Sequence, residues 1–267
     1  MADPGVVLDD LRAESAELDG LVARLGDEAW GAPTPAEGWS VAHQIAHLLW
    51  TDERSLLAAT EPEAFVREFT EAVEASGGDL QGFVDQGAEE WAGAEPAVLL
   101  ARWREAREAL QRVLRERPAD AGKIPWYATP MSVASMATAR LMETWAHGQD
   151  VADALGVERK PTERIRHVAW IGVRTRDFAF LSHGIQPPEG EFRIELTPPD
   201  GAGVWAYGPE DAEQRISGPA LDFCLLVCQR IHRDDTALRA TGADAERWLG
   251  IAQAFAGPSG GGREARG

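Results

Sequence analysis

Apolar residues recur through the first two-thirds of the chain at the three- and four-residue spacing of a single buried helical face. Val7, Leu8, Leu11, Leu18, Leu21, Val22 and Leu25 set this period and predict a helix over Val7–Leu25. Pro33 and Pro35 break the pattern, and Ser40 then stands as N-cap of a second helix from Val41 to about Thr60. A third helix is expected from near Pro62 to Ser76, Gly77 and Gly78, and a fourth over Leu80–Glu90. Pro96 opens a fifth, Ala97–Arg117. Pro118–Pro130 reads as a loop, and Ser132–Leu155 as a helix that Gly156 closes.

Beyond Gly156 the texture changes. Pro161–Leu181 fits one more helix and Gly184–Gly190 a loop. Phe192–Thr197 alternates apolar with polar residues, the period of a half-buried strand. Val204–Tyr207 reads as its partner across the Pro198–Gly201 turn, with Gln214–Ile216 a candidate third strand. Pro219–Ile231 and Ala245–Phe255 are apolar enough for two further helices. The pattern divides the chain into a helical bundle over 1–157, a small α+β unit over 158–256 and a Gly-rich, charged tail over 257–267 expected to be disordered. The fold class is mainly α with a small α+β part.

Composition narrows the function. With 267 residues, 44% of them hydrophobic, the chain can bury a sizeable core, yet it has no run near the roughly 18 apolar residues of a membrane span. A net charge of −18 makes nucleic acid and anionic membrane poor partners. The acidic N-terminus, with Asp9 and Asp10, lacks a secretory pattern. Cys224 and Cys228 share a helix face as packing residues and form no disulfide framework, so a cytoplasmic location is expected. Lys123 and Lys160 are the sole lysines beside many arginines, a usage that suggests a GC-rich bacterial genome.

The chemistry lies in the scarce histidines. His43 and His47 are four apart on one helix, and Glu143 and His147 are four apart on another, so each pair projects from one face. Facing helices with ligands at such spacing can hold a metal inside a bundle, and imidazole with carboxylate suits zinc and other first-row divalent ions. Spacing alone leaves ordinary helix pairs open, and His43-Gln44-Ile45-Ala46-His47 lacks the glutamate of the zinc-protease motif.

The segment from Gly38 to Asp52, GWSVAHQIAHLLWTD, resembles the N-terminal metal-binding motif of the mycothiol-dependent maleylpyruvate isomerase family, within the DinB-like superfamily of four-helix metalloproteins. The segment from Glu143 to Gly156, ETWAHGQDVADALG, resembles that family's second motif, and the C-terminal unit is similar to the sterol-carrier-like α+β domain that many members append. The resemblance implies a DinB-like four-helix bundle followed by a sterol-carrier-like unit. It places the metal ligands on His47, Glu143 and His147, with zinc the first choice and nickel, iron or cobalt as alternatives. It further implies a small-molecule thiol, mycothiol first among them, as cofactor or partner, acting on a small electrophilic substrate in isomerisation or S-transfer.

Helix geometry supplies further candidates. His43, where family members often carry another polar residue, is a candidate fourth ligand or substrate-facing base. Arg54 and Arg140 are candidates to hold a substrate carboxylate, or to pair with acidic neighbours. Asp150 either orients a ligand histidine or is a solvated carboxylate. Trp50 on the ligand face, and Trp126 and Tyr127 in the loop with Met131, are candidates to wall a cofactor pocket. Arg230, His232 and Arg233 read as a solvated helix end. Two other functions fit the same donors: hydrolysis by metal-bound water, or a non-catalytic protein that binds metal and a hydrophobic ligand.

Overall fold

The computed structural model describes residues 3–75, 80–118, 120–127, 129–255, 257 and 260–266. The chain forms two compact units, 1–158 and 159–267. The first contains helices α1 (Pro4–Val22), α2 (Asp27–Trp30), α3 (Val41–Thr60), α4 (Pro62–Ala75), α5 (Leu80–Ala92), α6 (Pro96–Glu116) and α7 (Val133–Ala154). Their starts are chemically marked. Asp3 accepts from the Gly5 N–H ahead of Pro4, Ser40 accepts from His43, Pro96 occupies the first turn of α6, and Ser132 accepts from Ser135.

Helices α1, α3, α6 and α7 make the bundle: α3 packs on α6 and α7, and α1 closes the other side against the same two helices. Ile45, Leu48 and Leu49 of α3 meet Leu99 and Trp103 of α6 and Val151 of α7 in one core. Each such side chain contributes about 1.5–3 kcal/mol when buried. Asp19 of α1 receives Arg104 and Arg107 of α6 at 2.5 Å each, fixing how these helices align. Helices α4 and α5 pack on α3 outside the bundle. The approach of α5 needs Gly87, because a Cβ there would lie 2.5 Å from the Trp50 ring.

In the second unit, α8 (Ile165–Arg174) and α9 (Arg176–Ser182) precede β1 (Phe192–Thr197), β2 (Trp205–Tyr207) and β3 (Gln214–Pro219). Helix α10 (Ala220–Val227), strand β4 (Arg239–Thr241) and helix α11 (Ala243–Leu249) follow. The sheet order is β2-β1-β3-β4, with β1 parallel to β3 and the outer pairings antiparallel. Phe192, Ile194 and Leu196 alternate inward, and Phe192 and Phe223 both meet the Trp248 ring edge-on. Gly172 lets α8 lie against Val227 of α10.

Several local expectations differ from the structure. The helix expected over Pro161–Leu181 starts only at Ile165 and is two, separated at Thr175, whose backbone at φ −95° and ψ 9° leaves the helical range and whose hydroxyl reaches the carbonyl of Gln253. The last helix ends at Leu249 and not near Phe255: Ala254 donates its N–H to Val227 instead of continuing the helical ladder. Helix α10 ends at Val227, ahead of Gln229 at φ 58°. Helix α2 and strand β4 had no sequence signal, being only four and three residues long. The expected end of α4 at Ser76, Gly77 and Gly78 lies outside the described residues. Described tail residues form neither helix nor strand, although Arg266 donates its N–H to Asp235. No described helix is long and apolar enough to cross a membrane.

Candidate metal centre

The loop before α3 sets the site. An antiparallel bridge between Pro33 and Ser40, with Gly38 at φ 78°, turns the chain so that Trp39 faces back over α3. Its ring lies 5.4 Å from that of His47 and 6.0 Å from that of His147, nearly parallel to the latter at 19°. Beneath it, Nε2 of His47 on α3 and Nε2 of His147 on α7 both point at Oε2 of Glu143, at 3.4 and 3.1 Å.

All three donor atoms lie within 4.8 Å of one another, and no other group of this kind occurs among the described residues. Two ligands bound at about 2.0–2.1 Å with a tetrahedral angle between them stand roughly 3.3–3.4 Å apart. The His47 separation matches that spacing and the His147 one is about 0.2 Å shorter, so small side-chain shifts would let the donors fit one divalent ion. Burial pushes the Glu143 carboxyl up, but hydrogen bonds from His147 and His47 outweigh it and hold the group well below the usual carboxylate range. It is therefore ionised, the form a metal needs.

His43 stands apart from this group. Its Nδ1 receives the Ser40 N–H at 3.2 Å and so must be an acceptor, which leaves Nε2 to donate to Glu89 at 2.9 Å. The ring completes the N-terminal cap of α3 and ties α5 to it. Gln44, one residue on, went unnoticed in the sequence because an uncharged amide inside a helix carries no site signal. It is fully buried, with Oε1 at 2.5 Å from Nδ1 of His147. Trp39 also went unnoticed, since nothing local fixes where a loop tryptophan packs.

Both candidate arginines are paired. Arg54 bonds to Glu68 through Nη1, although its buried Nε has no partner among the described residues. Arg140 is 2% exposed and donates its Nε to Asp52 at 2.8 Å, inside the bundle and not at an open surface, while its buried Nη2 has no partner among the described residues. Burial raises the pKa of Asp52 against the pull of Arg140. Asp150, at 1% exposure, is a buried carboxylate and not a solvated one.

Trp50, Trp126 and Tyr127 do come together. Tyr127 packs among Trp50, Phe65, Phe69, Phe83 and Trp126, with centroids 4.7–6.3 Å away. Its buried hydroxyl has no partner among the described residues, and burial raises its pKa. Arg230 and Arg233 in the other unit turn to the Cys228 carbonyl and to Thr236 and Glu246, while Nδ1 of His232 caps Asp234.

Residues 11–152 match the family model described as the mycothiol maleylpyruvate isomerase N-terminal domain, and residues 188–241, from just before β1 to β4, match one described as wyosine base formation. Uncharacterised proteins from two strains of Mycobacterium tuberculosis are 53% identical over 263 residues, covering 98% of this chain and all of each relative. The crystal structure of a mycothiol-dependent maleylpyruvate isomerase superposes with a TM-score of 0.57 at 16% identity, over 90% of this chain and 93% of that one. A histidine-to-alanine mutant of such an isomerase superposes at 0.55, also at 16% identity, over 84% and 88%. At that identity the likeness is one of fold.

Proposed function

The chain belongs to the mycothiol maleylpyruvate isomerase N-terminal domain family, and from that premise we propose that it is a metal-dependent enzyme that uses a small thiol, mycothiol in its natural host, on an unsaturated electrophilic acid. The observation that carries this reading is the convergence of His47, Glu143 and His147 from two helices on one point. Three protein donors leave a coordination position open, the arrangement of a catalytic zinc site. A divalent ion bound there supplies positive charge that holds a thiol as thiolate near neutral pH.

The protein's own residues do the rest. Nε2 of each histidine would offer a lone pair to the ion and Glu143 offers charge, while Trp39 lies over the imidazoles. Arg140 and Asp52 are buried together, their side chains 3% and 8% exposed, so we assign Arg140 to positioning α7 and not to direct substrate contact. The Tyr127 hydroxyl and Arg54 Nε, which have no hydrogen-bond partner among the described residues and interact electrostatically, are the donors we assign to an anionic part of thiol or substrate. A thiolate that adds to an activated C=C bond and later leaves returns unchanged, which is isomerisation. One that stays gives S-transfer.

The test is metal analysis of the purified chain, then cobalt substitution and titration with mycothiol and other low-molecular-weight thiols. Stoichiometric metal and a new sulfur-to-cobalt charge-transfer band are expected. Metal without a band for any thiol would overturn the thiol reading in favour of hydrolysis by bound water. Absence of metal would overturn the enzyme mechanism as a whole.

A further inference from the structure

The hydrogen-bond directions around His147 follow from one backbone carbonyl. Oγ1 of Thr34 lies 2.8 Å from the carbonyl oxygen of Trp39. A carbonyl only accepts, so the hydroxyl proton is committed there and Oγ1 is left to act as an acceptor. The side-chain amide of Gln44 stands 2.9 Å from that oxygen. Only its NH2 can donate, so the amide cannot flip and Oε1 must face the other way. There it meets Nδ1 of His147, which must then carry a proton. The remaining nitrogen, Nε2, is the one aimed at Glu143, and a bound metal ion would take the place of the proton it donates there.

We propose that Gln44 is a positioning residue for the metal centre: through Thr34 it fixes both the tautomer and the ring orientation of His147, so that the Nε2 lone pair is presented to the ion. The proposal rests on the metal reading above. Outer partners of ligand histidines commonly act this way, through carboxylates or carbonyls. Here a buried amide does so, anchored to the same loop that carries Trp39. The arrangement is asymmetric, since Nδ1 of His47 has no partner among the described residues. His147 is accordingly the pre-oriented ligand, and the tilt of His47 is set by packing beneath Trp39.

The experiment uses the full chain, with ring-nitrogen NMR of His147 and zinc affinity from competition with a chelator. In the wild type Nδ1 should be protonated, both metal-free and with zinc. Gln44→Met keeps the bulk and removes the acceptor, and should weaken zinc binding about 10–100-fold. Gln44→Glu keeps an acceptor in the same place and should bind within a few-fold of wild type. If Gln44→Met does not fold, Thr34→Val serves: it releases the amide to turn its NH2 toward Nδ1 and should weaken zinc in the same direction. Unchanged affinity in Gln44→Met or Thr34→Val overturns the proposal, as does a Gln44→Glu chain that binds as poorly as Gln44→Met. A wild-type chain that binds no divalent ion defeats the metal reading itself. One that binds zinc with a bare Nδ1 on His147 defeats only the role of Gln44.

Discussion

Trp39 stacks on His147 with their ring centroids 6.0 Å apart and their planes 19° from parallel, so an indole from the loop lies against a ligand of the candidate centre. Its emission should therefore report what happens there. Cobalt should quench a fraction of the intrinsic fluorescence at stoichiometric addition, and that fraction should vanish in Trp39→Phe while cobalt still binds. Quenching of equal size in Trp39→Phe would mean that the ion binds elsewhere.

The ligand assignment makes a sharper demand. His47→Ala, Glu143→Ala and His147→Ala each remove one donor of three and should lower zinc affinity by more than the roughly 10–100-fold typical of losing an outer hydrogen-bond partner. Circular dichroism should show an intact bundle, because the core around Ile45, Leu48, Trp103 and Val151 is untouched. Full metal content in any two of these variants would remove the triad.

A thiol that binds as thiolate must release a proton. Below the thiol's own pKa of about 8.5, its apparent affinity for the metal-loaded protein should rise close to tenfold per pH unit between about pH 6 and 8. Isothermal titration in buffers of different ionisation enthalpy counts the proton directly. Affinity independent of pH over that range would mean that the thiol binds without ionising.

Asp19 predicts the acid response of the bundle. The hydrogen bond from Arg104 lowers its pKa below the ordinary 3.8, against the opposing effect of burial and with further help from Arg107. Because the folded value is the lower one, this contribution is fully present above about pH 4 and is lost as pH falls through the folded value. Asp19→Asn should cost about 1–2 kcal/mol at pH 7, and the gap to wild type should close toward pH 3. Urea unfolding at a series of pH values measures it, and a gap that widens in acid would contradict the assignment.

Gly87 sets two effects against each other. Alanine gains about 1 kcal/mol of helix propensity, but its Cβ would lie 2.5 Å from the Trp50 ring, and overpacking typically costs about 1–3 kcal/mol. Gly87→Ala should therefore be neutral to destabilising overall and should speed hydrogen exchange across α5, the helix that His43 ties down through Glu89. A more stable variant with slower exchange would show that Trp50 yields freely.

Local chemistry made much of this legible from the chain itself. Ser40, Pro96 and Ser132 satisfy or remove unpaired N–H groups within one turn, so helix starts follow from adjacent residues. The pairing of Glu143 with His147 is likewise local, because four residues along one helix are close in any context. Alternation in Phe192–Thr197 marks the inward face of β1 for the same reason.

Tertiary packing decided the rest. Four-residue spacing says that His43 and His47 share a face but not what that face meets. Only the crossing of α3 with α7 brings His47 to Glu143, 96 residues away, while the packing of α5 turns His43 to Glu89. Arg140 reads as a holder of a substrate carboxylate or as a partner of some acidic neighbour until the bundle closes around it and Asp52. Gln44 gains its role from a carbonyl in one loop and an imidazole on another helix, and strand β4 forms only because β3 offers an edge. The chain therefore specifies, within each helix, which residues can act together. Which of them do so depends on the relative rotation and approach of separate elements, set by the volume of a shared core and by no residue's immediate neighbours.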